Sequence, residues 1–87
     1  MTPKQIRSDL TIRILQEQFD NNQKIRPIIR TQINKIPDSK LTEYQTAYRA
    51  NAEAIRLLME TKAADNAFNS DYAAVSYFFS ILRNEIA

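Results

Sequence analysis

Glu53 and Glu60 stand seven residues apart, two turns along one face of a helix. A pair of carboxylates is the smallest set that can divide general acid from general base work. Here, however, the pair belongs to the series Arg49, Glu53, Arg56, Glu60, whose spacings of three and four are those of a solvated ion-pair ladder. The other candidates for proton transfer are Tyr44, Tyr48, Tyr72 and Tyr77. They fall on apolar stripes, where a tyrosine ring packs and its hydroxyl finds a polar partner. The chain contains no His, no Cys and no Gly. It therefore has no imidazole base, no thiolate nucleophile, no His- or Cys-ligated metal and no glycine loop to cradle a phosphate. The expectation is a non-enzymatic protein with neither metal nor cofactor.

Charge is the next source of specificity. The net charge is only +2, but residues 1–40 carry +4 and residues 41–87 carry −2. Lys24, Arg26, Arg30, Lys35 and Lys40 make the densest basic group. They flank an isoleucine face on two edges, and no aromatic residues interleave with them to stack bases. Such a group suits electrostatic contact with an acidic partner, or weak, salt-sensitive phosphate contact with a nucleic acid.

These residues must be held by helices. Glycine supplies the positive-φ positions of tight hairpins, and an average chain of this length would have about six. Thr2-Pro3-Lys4-Gln5 fits a capping box with Pro at the first helical position, and Met1 and Ile6 stand at the two positions of a hydrophobic staple. Ile6, Leu10 and Ile14 form one row of the first helix and Ile12, Leu15 and Phe19 a second, ending near Asn21-Asn22. A second helix over about Gln23 to Ile36 presents Ile25, Ile28, Ile29, Ile33 and Ile36, and Pro37 stops it. Asp38 or Ser39 can then cap a long third helix reaching Ala64, with Leu41, Tyr44, Tyr48, Ile55, Leu58 and Met59 as its apolar stripe. Asn51 is the polar residue within that stripe, a position from which an amide can set the register of a helical assembly. The last helix begins near Asn69 or Ser70 and turns Phe68, Tyr72, Val75, Phe79, Leu82 and Ile86 inward, with Phe78 at the edge.

One rival arrangement starts from Leu10-Thr11-Ile12-Arg13-Ile14, which alternates like a strand. A strand followed by two helices resembles the ribbon-helix-helix arrangement of small DNA-binding dimers. That resemblance implies a β-ribbon here and duplex DNA as partner. It covers five residues, lacks a turn glycine and conflicts with the cap at Thr2.

"YAAVSYFFSIL", Tyr72 to Leu82, is too short to span a bilayer, which takes about 20 apolar residues. Most of it reads as core. Tyr77 and Ile81, with Ala74 between them in projection, lie opposite the main face and form the expected partner-binding surface. The opening residues carry Lys4, Arg7 and Asp9 and no apolar leader, so a cytoplasmic protein is expected. Together these readings predict one all-α domain over residues 1–87, a bundle of three or four helices with one long central helix. The expected function is that of a small adaptor, regulator or inhibitor, of a composition suited to a bacterium or phage. It would bind a protein partner, a second copy included, through a helical surface. The alternative is a nucleic-acid-binding regulator using the basic second helix.

Overall fold

A computed structural model describes residues 1–86, which form four α-helices: α1 (Pro3–Gln18), α2 (Arg26–Asn34), α3 (Leu41–Ala64) and α4 (Asp71–Asn84). Among the described residues there is no strand, and Leu10 to Ile14 lie within α1. The capping box decides this. The Gln5 N–H donates to Thr2 Oγ1 at 3.2 Å and the Thr2 N–H donates to Gln5 Oε1 at 2.8 Å, so two end groups that a strand would leave elsewhere are satisfied reciprocally. Met1 stays largely exposed.

Helix ends normally use glycine in the left-handed region. Here Asp20 and Asn21 (φ 51° and 58°) close α1, and Asn66 (φ 54°) closes α3. Asp and Asn are the side chains that tolerate this conformation best after glycine. The Asn21 N–H returns to the Leu15 carbonyl and the Ala67 N–H to that of Lys62. α2 starts later than its periodicity suggests, at Arg26, because residues 22–25 are used in a turn where Asn22 Oδ1 accepts from the Lys24 N–H. Pro27 thus falls in the first turn, where its missing N–H costs nothing. Neither Asp38 nor Ser39 caps α3. They form a turn of 3-10 helix (Asp38–Lys40) leading into it, and the Asp38 carboxylate forms an ion pair with Arg7 instead. Ser70 does cap α4, accepting from the Ala73 N–H at 3.1 Å.

The helices are neighbours in the order α1, α2, α4, α3, with α3 closing back on α1. α1 and α3 run parallel: Asp9 meets Gln45 and Gln18 meets Ala52. α2 runs back along α1, placing the Ile36 carbonyl beside Arg7. α4 runs back along α3 from the connection at residues 65–70. One core cluster takes residues from every helix, with Leu10, Ile14, Ile29, Ile33, Leu41, Tyr48, Ile55, Val75, Phe78, Phe79 and Leu82 essentially sealed from solvent. The long α3 packs against α1 and α4, as its length and periodicity predict.

Four apolar residues sit where the periodicities do not place them. Phe78 is the hub of the core, edge-on to Phe19, Tyr48 and Phe79 at centroid distances of 5.8, 6.0 and 5.1 Å, rather than at an edge. The inward face of α4 is Val75, Phe78, Phe79 and Leu82, which turns Tyr72 outward to 61% exposure. Leu58 is exposed because α1 ends level with Ala52, and beyond that point only one side of α3 has a neighbour. Ile12 lies outside the single broad buried face of α1 and is 52% exposed.

Candidate functional site

The chemistry-bearing residues separate into a buried seam, a surface ladder and an open groove. The seam joins α1 to α3. The Gln45 amide, nearly buried, donates to Asp9 Oδ2 at 3.0 Å, and Asp9 Oδ1 accepts from Arg13 Nε at 3.1 Å. One helical repeat further, the Tyr48 hydroxyl donates to Glu17 Oε1 at 2.7 Å. Gln18 gives its amide hydrogens to the Ala52 carbonyl and the Tyr48 oxygen, which leaves its own buried Oε1 unpaired. Burial, followed by the bond to the Glu17 carboxylate, pushes the Tyr48 phenol far above its ordinary value. A phenol held protonated in this way is an anchor between helices and a poor acid.

The ladder is the Arg56 guanidinium bridging Glu53 and Glu60 on the solvent side of α3. Hydrogen bonding to Arg56, then its charge, holds the Glu53 carboxyl below its usual range, while the guanidinium is raised by its bond to Glu53. Two carboxylates occupied by one shared cation form a solvated ion-pair cluster.

The groove lies between α1 and α2 and encloses about 640 Å³. Lys4 and Arg7 enter it from α1, and Arg26 and Arg30 from α2. None of its lining residues is acidic, and its floor includes Ser8, Thr11 and the exposed Ile12. The arrangement follows from the hairpin. A short connection forces α1 and α2 antiparallel, so the groove runs along both: Lys4 and Arg7 enter near the start of α1, beside the end of α2 at Asn34, and Arg30 and Arg26 follow towards the start of α2. Arg7 is partly committed: its Nη2 donates to the Ile36 carbonyl and forms an ion pair with Asp38 Oδ1, both at 2.7 Å, tying the α2–α3 connection to α1. Lys4, Arg26 and Arg30 make no ion pair among the described residues. The acidic residues of α1 point elsewhere, Asp9 and Glu17 into the seam with α3.

Arg26 and Arg30 of the sequence-derived basic group thus come together, while Lys24, Lys35 and Lys40 do not join them. Lys35 lines a shallow depression beside Pro27, Ile28 and Tyr72, Lys24 lies in the α1–α2 turn and Lys40 precedes α3. Lys4 and Arg7 were missed because they are distant in sequence, although their i, i+3 spacing on a helix leading into a short hairpin is a usable signal. Ala74, Tyr77 and Ile81 are half-buried and pack against the core. The Tyr77 ring is covered by Phe68 at a centroid distance of 5.6 Å and by the Lys62 ammonium at 5.5 Å, so the end of α3 and the α3–α4 connection shield this face from within the chain. Asn51 donates to the Ala47 carbonyl of its own helix at 2.9 Å and sits half-buried at the rim of a groove between α3 and α4.

Among the described residues no group of three His, Cys, Asp or Glu side chains is arranged to hold a metal ion, and no helix is long and apolar enough to cross a membrane. Comparison with protein-family models, with curated proteins and with solved structures returns no match.

Proposed function

We propose that the protein is a small non-catalytic interaction protein, working in the cytoplasm, that docks an acidic protein partner on its α1–α2 face. The observation that carries this reading is the convergence of Lys4, Arg7, Arg26 and Arg30 on one groove without a single carboxylate among its lining residues. Unneutralised cations on neighbouring elements raise the local potential and steer anionic partners to the face. Ile12 supports a protein partner over a nucleic acid. It gives the groove an apolar contact within a charged rim, the anatomy of a protein interface. No aromatic ring lines the groove to stack a base.

The test is fluorescence anisotropy with two labelled probes, an oligoglutamate peptide and a DNA duplex of equal charge. Wild type binds the peptide at low salt. Arg26→Glu with Arg30→Glu weakens that binding at least tenfold, whereas Lys24→Glu with Lys40→Glu leaves it nearly unchanged. Tight binding of the duplex at physiological salt, undisturbed by excess peptide, makes the protein a nucleic-acid binder and overturns this reading. Equal sensitivity to both pairs of substitutions reduces the groove to general surface charge.

A further inference from the structure

The helix order places a second groove opposite the first. Because α1 neighbours α2 and α3 neighbours α4, the α1–α2 and α3–α4 faces lie on opposite sides of the bundle. The α3–α4 groove is a shallow, open depression lined by Ala47, Ala50, Asn51 and Ile86, with Glu43 and Glu85 as its charged residues and no cation. Neither carboxylate makes an ion pair among the described residues. The α3–α4 groove lies where α3 begins and α4 finishes, while the α1–α2 groove runs along the length of α2 from Arg26 to Asn34. The two are opposite in charge, and each combines exposed charge with an isoleucine.

We propose that these faces bind each other between copies: the Glu43 and Glu85 face of one protomer seats on the Arg26 and Arg30 face of the next. The inference rests on the α1–α2 face being a docking face and adds a second copy of the chain as an occupant. Since the two surfaces are different and opposed, the contact is heterologous, and repeating it builds an open row rather than a closed dimer. Exposed ion pairs are individually weak and strongly screened, so assembly appears at high protein concentration and low salt. An acidic partner that takes the α1–α2 groove competes with the next copy and shortens the row. Partner binding and self-association are thereby linked.

The experiment is light scattering coupled to size exclusion, with charge-swapped pairs whose side chains are all exposed. Wild type gains at least a doubling of mass between dilute and concentrated samples at about 20 mM salt and returns to monomer at about 0.5 M. Arg26→Glu with Arg30→Glu, and separately Glu43→Lys with Glu85→Lys, each stay monomeric throughout. Mixing the two variants restores assembly, because each reversed face now complements the other. A wild type that is monomeric at about 1 mM and low salt, assembly that survives either swap, or a mixture that stays monomeric overturns the proposal. Oligoglutamate binding by a Glu43→Gln, Glu85→Gln protein separates the two readings. If it is retained while assembly is absent in wild type, the docking face stands and self-association falls.

Discussion

Replacing Tyr48 by Phe removes one oxygen from a sealed position and should cost about 1 kcal/mol. Tyr48 is 1% exposed, and its ring would be kept in place by the edge contact with Phe78, so no cavity opens. What is lost is the hydroxyl's bond to Glu17 at 2.7 Å and its acceptance from Gln18. A hydrogen bond to a charged group contributes about 1.5–3 kcal/mol, and the lower end or less applies here because Glu17 is exposed and rehydrates when freed. Gln18 keeps the Ala52 carbonyl. In a chain of this size about 1 kcal/mol lowers the melting temperature by about 4–8 °C. The same substitution changes the alkaline limb of stability. The folded phenol's pKa is raised above the unfolded value of about 10, so between those values the folded state holds a proton that the unfolded state has released. Its contribution is complete below about pH 10 and is lost as pH rises further, with a slope approaching about 1.4 kcal/mol per pH unit. Urea unfolding of wild type, Tyr48→Phe, Glu17→Ala and the double variant, each at neutral pH and above pH 10, measures both effects. Full stability of Tyr48→Phe at neutral pH, additive behaviour in the double variant and an unchanged alkaline limb would refute the seam.

Phe78→Ala should cost about 3–5 kcal/mol and bring the domain near unfolding, whereas Tyr72→Ala should change stability by less than about 0.5 kcal/mol; thermal melts of the two distinguish the observed rotation of α4 from the one its periodicity suggests. Arg7→Met should cost about 1–2 kcal/mol by releasing the Ile36 carbonyl and Asp38, while Arg30→Ser leaves the melt unchanged and affects binding alone. Thr2→Ala should lose about 0.5–2 kcal/mol and raise amide hydrogen exchange in the first turn of α1 only.

The features that were legible in the sequence are those set by neighbours along the chain. The box at Thr2, Pro37 as a stop, Ser70 as a cap and the length of α3 all depend on residues within four positions of one another. Rotation about the helix axis is different. The stretch from Tyr72 to Leu82 is apolar nearly all round, so its periodicity barely prefers one face, and the choice of Phe78 over Tyr72 is made by Phe19 and Tyr48 arriving from α1 and α3. Gln45 reads as a surface residue until Asp9 appears opposite it. The groove was half legible: Arg26 and Arg30 are obvious on α2, but Lys4 and Arg7 join them only when the hairpin closes. Lys24, Lys35 and Lys40 looked equally near on a line and are dispersed by the same closure.

The claim on which the account turns is that the α1–α2 face, and not basic charge in general, receives an acidic partner. Residue-resolved NMR titration of the isotope-labelled protein with the oligoglutamate peptide tests it most directly. The account predicts shifts confined to Lys4, Arg7, Ser8, Ile12, Arg26, Arg30 and Asn34, saturating together and reversed by salt. Shifts of equal size at Lys24, Lys40, Arg49 and Arg83, or a patch centred on Tyr77 and Ile81, would contradict it.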